Sequence, residues 1–342
     1  MRNLIKNTTT GAALLVLFAG PVCAQQIKYR ITDLGTLGGN LSVATAINDQ
    51  GQVVGRSTLP GEAISRAYLW DSSVMTDLGS LGGTFAGANA LNDQGQAVGF
   101  SELTGNTARH AVLFQKGRVI DLGALPASQF STAFGINNRG EIVGGSTTTG
   151  RVNSTFHATT FTGSDVIDLG TLGGPTSFVT GIDDHGEATG RADRTAGSSC
   201  VVFADATIND LGLLPGGTVA FGRAINNRGD VACQGNTAGG GLHAALHTRK
   251  GEMIDLGTLG GTLSDAAGIN DKQEVVGFST IASGAQRAFI WSDGVITNLN
   301  TLIDLASGWT LTQATGINNR GQIVGNGVIG GAQHAFLLTP LE

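Results

Sequence analysis

The sequence predicts an all-β fold, a seven-bladed β-propeller built from four-stranded blades. Three observations lead to this prediction. A glycine-rich phrase recurs about every 44 residues, each interval holds four short runs of β-forming residues, and the two ends of the chain carry complementary parts of one repeat. Four short, evenly spaced strands per repeat are typical of propeller blades. We therefore predict that residues 25–342 form a single domain of seven repeats.

The glycine-rich phrase reads Asp-Leu-Gly-Thr-Leu-Gly-Gly in its full form. The seven copies, spaced by 44, 44, 47, 42, 45 and 43 residues, begin at Asp33, Asp77, Asp121, Asp168, Asp210, Asp255 and Asn298. Each aspartate ends a predicted strand, where a short carboxylate can accept N–H groups of a glycine turn. We predict that the aspartates hold the crossings between blades. A phosphate-binding loop would need a helix after the glycines, whereas a strand follows here.

A second phrase inside each repeat predicts a β-hairpin. In the first repeat, short β-branched runs flank the tetrapeptide Asn48-Asp49-Gln50-Gly51. A turn of this kind places its glycine in the left-handed conformation. We predict that the asparagine holds the turn in each of six repeats. The six residues are Asn48, Asn92, Asn137, Asn226, Asn270 and Asn318.

A polar loop separates the hairpin from the two outer strands of each repeat. In the first repeat we predict the third strand at residues 66–70 and the fourth at 74–78. The loops before the third strand differ between repeats and are rich in Thr, Ser and Gly. Variable loops on a rigid scaffold are common places for recognition. Four of these loops cover residues 56–65, 101–109, 146–156 and 191–199.

The two ends of the chain predict a closed ring. The seventh repeat stops after its third strand, His334 to Leu338, and Lys28 to Leu34 has the pattern of a fourth strand with no preceding three. If these segments pair, the N-terminal strand completes the last blade. An open solenoid is the alternative, but it would leave exposed strand edges that ring closure removes.

The N-terminal residues predict export. Arg2 and Lys6 precede an apolar run at 12–19, and Val22-Cys23-Ala24 is a small-residue cleavage site. This is the pattern of a signal peptide, residues 1–24, cleaved near Ala24. We expect a secreted or periplasmic protein without membrane insertion, because the apolar run is too short to span a bilayer. The net charge of −6, without a basic run, argues against a nucleic-acid partner.

Two cysteines, Cys200 and Cys233, remain after the predicted cleavage. An exported protein permits a disulfide. The sequence alone does not show whether the two Cα atoms lie close enough for one. We expect two buried free thiols.

The tripeptide His334-Ala335-Phe336, together with the glycine-rich phrase, resembles the HAF-repeat proteins, probable extracellular proteins of bacteria named after His-Ala-Phe. Relaxed copies begin at His110, His157 and His243. The resemblance covers Asp33 to Leu338. It implies export and a β-rich repeat fold, and it implies no activity or catalytic residues.

Residues that depart from the repeat are better functional candidates than those that recur. The recurring histidines are expected to make hydrogen bonds to neighbouring turns rather than to bind metal. The turn Asp183-Asp184-His185 is a weak candidate for a divalent cation. Arg223, on an innermost strand, is a weak candidate for an anionic ligand, and Trp309 is a weak candidate for a surface role. The position that Arg223 occupies varies between repeats and is predicted to line the central funnel; it holds Thr45, Asn89, Phe134, Thr180, Arg223, Ala267 and Thr315.

Three functions remain open at this point. The leading hypothesis is an exported, non-catalytic binding module that recognises an extracellular glycan or protein through the funnel and the variable loops. A polysaccharide-active enzyme, a lyase or glycosidase, is the first alternative, although the sequence holds no catalytic motif and predicts no cofactor. A structural surface or matrix protein is the second alternative, which the low charge and high glycine content suggest.

Overall fold

A computed structural model describes residues 28–150, 155–163 and 165–341 and confirms the predicted all-β propeller. In these residues, 28 strands form seven antiparallel blades of four strands each. Three pairs of neighbouring blades are also joined by single parallel pairings, Ser65 with Phe85, Arg109 with Phe130, and Leu242 with Leu263. The predicted signal peptide, residues 1–24, lies outside the described residues.

The strands are numbered in chain order, and β1 (Tyr29–Asp33) belongs to the last blade. Blades 1 and 2 contain β2 (Ser42–Ile47), β3 (Val53–Thr58), β4 (Ser65–Asp71), β5 (Val74–Asp77), β6 (Gly82–Leu91), β7 (Ala97–Leu103), β8 (Arg109–Gln115) and β9 (Arg118–Gly123). Blades 3 and 4 contain β10 (Ser131–Ile136), β11 (Ile142–Thr147), β12 (Phe156–Phe161), β13 (Val166–Asp168), β14 (Ser177–Ile182), β15 (Ala188–Asp193), β16 (Ser198–Ala204) and β17 (Thr207–Asp210). Blades 5, 6 and 7 contain β18 (Ala220–Ile225), β19 (Val231–Asn236), β20 (Leu242–His247), β21 (Met253–Asp255), β22 (Gly260–Ile269), β23 (Val275–Ile281), β24 (Gln286–Ser292), β25 (Val295–Asn298), β26 (Thr310–Ile317), β27 (Ile323–Ile329) and β28 (Ala332–Pro340).

The ring is closed by the N-terminal strand, as predicted. β1 pairs antiparallel with β28, so that Tyr29 lies opposite Pro340 and Asp33 lies opposite Phe336. Leu34 continues the closure, because its side chain is buried in the core between blades 7 and 1. The last blade is therefore assembled from the two ends of the described chain.

The propeller has two different faces. The turns between first and second strands lie on what we call the hairpin face, and the loops between second and third strands lie on the opposite loop face. In the first hairpin, the Asn48 side-chain oxygen accepts hydrogen bonds from the N–H groups of Gln50 and Gln52, at 3.2 and 2.9 Å. Gly51 has a φ of 85°, which is the left-handed conformation predicted for it.

The predicted role of the repeated aspartates is confirmed. Asp33 accepts a hydrogen bond from the N–H of Gly35 at 2.8 Å, and Gly35 has a φ of 73°. His334 contacts the same carboxylate at 2.9 Å, so the histidine reaches the turn through the aspartate. Five other aspartates bind their turn glycine in the same way: Asp77, Asp121, Asp168, Asp210 and Asp255.

The hydrophobic core lies mainly between neighbouring blades. The motif alanine Ala335 is fully buried, and its N–H donates to the Ser42 hydroxyl of the next blade at 3.0 Å. Trp309 also packs into this interior, with its ring edge-on to Phe336 at 6.0 Å between centroids. Packing therefore accounts for Trp309. The helices of the described segments are single 3-10 turns, too short to cross a membrane.

Candidate functional site

The central channel is lined by the variable positions that the sequence singled out. All seven, from Thr45 in blade 1 to Thr315 in blade 7, border a cavity of about 200 Å³. Several of these side chains also tie neighbouring blades together. The Thr45 hydroxyl donates to the Ala88 carbonyl at 2.7 Å, and the Asn89 amide donates to the Ala133 carbonyl at 2.8 Å.

Arg223 already has an anionic partner within the fold. Its Nε and Nη2 atoms donate to the two carboxylate oxygens of Asp265, in the next blade, at 2.9 and 2.8 Å. Nη2 also donates to the Gln234 side chain at 2.9 Å. Burial raises the pKa of Asp265, and the Arg223 guanidinium opposes that rise. Arg223 therefore joins blades 5 and 6, and three of its five N–H groups are already engaged within the fold.

A second cavity opens beside the channel, between blades 4 and 5. Its volume is about 300 Å³. Both blades contribute to it from the loop-face ends of their inner strands. The lining residues are Phe178, Thr180, Arg191, Phe221, Gly222 and Arg223. We call this space the mouth cavity. Aromatic faces, a hydroxyl and guanidinium groups are a combination found in ligand pockets, where a few polar groups fix the orientation of a bound molecule.

Arg191 is the unusual residue of the mouth cavity. Its guanidinium carbon lies over the Phe178 ring at 4.5 Å and over the Phe221 ring at 5.5 Å. Phe156 stacks on Phe178, with 4.7 Å between the two ring centroids. Among the described residues, the Arg191 side chain makes no hydrogen bond or ion pair, and its Nε is buried without a partner. A buried, unpaired donor costs about 1–3 kcal/mol.

Arg191 was not predicted as a site residue, because it stands where a variable loop, residues 191–199, was expected to begin. The structure places it inside β15, opposite Phe178 on β14. Arg56 occupies the same position in blade 1, opposite Val43, and its guanidinium lies over Phe85 of the next blade at 5.5 Å. An arginine at the same place in two repeats was the available signal.

The hairpin face is closed by a belt of asparagine side chains. The Asn48 amide donates to the backbone carbonyl of Asn92 in the next blade at 3.1 Å. The same bond joins Asn92 to Asn137, Asn137 to Asp183, Asn226 to Asn270, Asn270 to Asn318, and Asn318 to Asn48. These residues hold their own turns, as predicted, and they also join neighbouring blades, which the sequence did not predict.

The belt has one interruption, at Asp183 in blade 4. Asp183 keeps the turn bonds, because its Oδ1 accepts from the N–H groups of His185 and Glu187 at 2.9 Å each. A carboxylate oxygen, however, stands where the other six blades have a donating amide nitrogen. In the part of the chain that is described, no belt bond reaches Asn226, and the blade 4–5 interface lacks its link.

The next residue of each hairpin turn forms a second ring of hydrogen bonds around the axis. Here the N–H of each residue donates to the side-chain oxygen of its equivalent in the next blade, as Asp49 does to Asp93 at 3.1 Å. The ring is complete through Asp49, Asp93, Asn138, Asp184, Asn227, Asp271 and Asn319. It borders an axial cavity of about 160 Å³. Asp184 therefore has a structural role in the ring.

The predicted cation candidates do not converge. Asp183 points into its own turn, with its side chain fully buried, and Asp184 takes part in the second ring. The His185 side chain is 66% exposed and its Nδ1 lies 3.4 Å from Asp183. Within the described ranges, no group of three or more His, Cys, Asp or Glu side chains is placed to hold a metal ion.

Cys200 and Cys233 form a disulfide, so the expectation of two free thiols is wrong. Cys200 lies on β16 of blade 4 and Cys233 on β19 of blade 5, and their Cα atoms are 6.5 Å apart. Both side chains point into the core between the two blades, which brings them within bonding distance. Cys200 replaces the motif alanine of the other blades, and Cys233 replaces a glycine. The bridge therefore joins the interface at which the asparagine belt is interrupted.

Comparison with known proteins supports the fold and leaves function open. No family profile and no curated protein matches the sequence. Among solved structures, the chain is similar to TolB from Acinetobacter baumannii, with a TM-score of 0.50, 10% identity, and coverage of 85% of this chain and 64% of TolB. It is also similar to a puromycin hydrolase, with a TM-score of 0.53, 15% identity, and coverage of 81% of this chain and 47% of the hydrolase. The chain thus spans about half to two thirds of these two proteins.

A third similar structure is the β-propeller domain of the Trilobed protease from Pyrococcus furiosus, described as having an open velcro topology. It matches with a TM-score of 0.50 and 12% identity, covering 76% of this chain and 84% of that domain. At such low identity these likenesses define the class of protein, a β-propeller, and nothing finer. The present ring differs from an open one, because β1 pairs with β28.

Proposed function

We propose that this chain is an exported, non-catalytic binding module that recognises an extracellular glycan through the mouth cavity. The observation that carries the proposal is Arg191, a guanidinium held over two aromatic rings in an open cavity without a partner of its own among the described residues. The predicted signal peptide and the HAF-like repeats support export. The disulfide is compatible with a secreted or periplasmic location.

The size and chemistry of the mouth cavity favour a glycan over a protein partner. A volume of about 300 Å³ is at the small end of ligand pockets. It suits one or two sugar rings, whereas a stable protein partner would cover a much wider surface. Phe178 and Phe221 line the cavity with half-buried apolar rings, and the Thr180 hydroxyl, which donates to the Gly222 carbonyl, keeps an acceptor oxygen near them. A protein ligand is the main rival and forms an outcome of the test below.

The enzyme alternative lacks a supporting observation. A lyase or glycosidase would need convergent acid and base groups with perturbed pKa values. In the described part of the chain, neither the channel nor the mouth cavity is lined by an aspartate or glutamate, and the aspartates that border the axial cavity are engaged as hydrogen-bond acceptors of the second ring. Asp265 lies nearby but accepts hydrogen bonds from the Nε and Nη2 atoms of Arg223.

The proposal is tested on an array of neutral and acidic glycans, with the wild-type chain and two alanine variants. Phe221→Ala removes a ring of the mouth cavity, and we expect it to weaken glycan binding at least about tenfold. Phe85→Ala, which removes a first-strand ring with a similar arginine contact in blade 2, is the matched control and should bind like the wild type. Retention of extracellular proteins without any glycan binding would replace the glycan with a protein ligand. Cleavage of a polysaccharide panel would contradict a non-catalytic role.

A further inference from the structure

We infer that Arg191 is the specificity-determining residue of the mouth cavity and that it binds the carboxylate of an acidic sugar, a uronic acid residue of the glycan. The inference rests on the proposed function, and it names the chemical class of the ligand. The starting observation is an imbalance of charge. Two guanidinium groups line the mouth cavity and no described carboxylate does.

The charge of the second guanidinium is already neutralised. Arg223 forms a two-bond ion pair with Asp265, at 2.9 and 2.8 Å, so this pair contributes no net charge. Arg191 has no acidic partner among the described residues, and it retains a full positive charge because an arginine side chain stays protonated. The cavity therefore carries one uncompensated cation.

The surroundings of Arg191 determine which part of it a ligand can reach. Phe178 and Phe221 contact the guanidinium in cation–π geometry, which uses its flat faces. Because Nε is buried, the terminal Nη1 and Nη2 groups remain for a ligand, and a planar carboxylate matches them through two parallel hydrogen bonds. Because the stacked rings fix the guanidinium in place, it loses little side-chain freedom when the ligand binds.

The neighbouring cavity walls explain why the carboxylate should belong to a sugar. The Phe178 and Phe221 rings lie next to the charged group, so a ligand that reaches Arg191 also lies against apolar ring surface. A uronic acid carries its carboxylate on a ring whose C–H groups form an apolar face. The Thr180 hydroxyl donates its proton to the Gly222 carbonyl at 3.0 Å, and its oxygen remains as an acceptor for a sugar hydroxyl at the same cavity.

The inference is tested by measuring the binding of a short oligogalacturonate and of its fully methyl-esterified form to the full chain by calorimetry. Methyl esterification removes the charge and keeps the sugar rings. We expect the acid to bind at least about tenfold more tightly than the ester. Arg191→Gln should weaken binding of the acid by about tenfold to hundredfold, with little change for the ester. Arg191→Lys, which keeps the charge and loses the two-bond geometry, should give an intermediate affinity.

Arg56→Gln is the matched control. It removes the same charge from the same strand position, where the guanidinium also lies over a phenylalanine of the next blade, but Arg56 does not line the mouth cavity. It should leave both affinities unchanged. Thermal unfolding of each variant verifies that the ring is intact.

The possible failures are distinguishable. Equal binding of acid and ester, or equal losses in Arg191→Gln and Arg56→Gln, would overturn the carboxylate assignment and leave glycan binding standing. Binding of a sulfated glycan without uronic acids through Arg191, with no binding of oligogalacturonate, would also overturn the carboxylate assignment. If no glycan binds at all, the proposed function fails together with the inference.

Discussion

Some residues that depart from the repeat leave a buried hydroxyl group without a hydrogen-bond partner. Tyr68, in blade 1, is fully buried and its hydroxyl has no hydrogen-bond partner. Burial raises the pKa of Tyr68 far above its ordinary value. The equivalent position holds Phe289 in blade 6 and Phe336 in blade 7, both fully buried. The repeat itself therefore shows that an aromatic ring without a hydroxyl fits this site.

We expect Tyr68→Phe to stabilise the protein. The substitution keeps the ring and removes an unpaired buried hydroxyl, so the free energy of unfolding should rise by about 1–3 kcal/mol. Thr159 offers an independent test, because its buried hydroxyl is also unpaired and Val112 and Val201 stand at the same position in blades 2 and 4. Thr159→Val should stabilise in the same direction. Denaturant titration measures both effects, and a loss of stability in both variants would contradict this reading of the repeat.

Sequence reasoning predicted the contacts that lie within one repeat and missed most of those that join two repeats. The bond from Asp33 to Gly35 spans two residues and follows from turn chemistry. Arg191, by contrast, contacts Phe221, thirty positions away in the chain, and only the ring geometry brings the two together. The disulfide was missed for the same reason, because adjacent blades align Cys200 with Cys233 in space rather than in sequence.

At the scale of the strand and hairpin, the asparagine belt gives each blade a side-chain bond to the next. Each belt amide is almost completely buried, with Asn92 3% exposed and Asn137 3% exposed. A bond in such a place is less exposed to competition from water than one at the surface. Blade 4 alone substitutes a carboxylate, Asp183, and the adjacent interface is the one that carries the disulfide. The disulfide thus supplies a covalent link at the interface where Asp183 removes the belt bond.

We expect Asp183→Asn to restore the missing belt link. The new amide would keep the oxygen that holds the turn and add a donor toward the Asn226 carbonyl, raising the free energy of unfolding by about 1 kcal/mol. The matched control, Asn92→Asp, removes one existing link and should destabilise by a similar amount. Both are measured by denaturant titration of the oxidised protein at neutral pH.

Asp183→Ser separates this bond from a simple change of charge. It removes the same negative charge near the acidic ring that includes Asp184 and keeps a short side-chain oxygen for the turn, but it has no amide to donate to the Asn226 carbonyl. If Asp183→Ser gained as much stability as Asp183→Asn, charge removal would account for the gain and the belt would not.

The whole molecule depends on the joining of its two ends. Six blades are each formed from a continuous stretch of chain, whereas blade 7 takes β1 from the N-terminal side and β26, β27 and β28 from the C-terminal side. This arrangement could be predicted, because the fourth strand missing from the last repeat was visible at the start of the first. The mouth cavity between blades 4 and 5 could not be predicted, because it depends on side chains that meet only after the ring has closed.

Closure itself makes a prediction that two residues of β1 can test. Ile31 packs against the core of blade 7, while its neighbour Arg30 is exposed. Ile31→Asp would place a charge in that core, and we expect it to lower the free energy of unfolding by roughly 2–4 kcal/mol. Arg30→Asp puts the same side chain on the solvent side of the same strand and should change stability by less than about 0.5 kcal/mol. Because β1 closes the ring, the loss of stability in Ile31→Asp should appear as one cooperative unfolding transition at a lower denaturant concentration. If the two variants unfolded at the same denaturant concentration, β1 would not close the ring. The channel and the mouth cavity, which depend on closure, would then not exist as described.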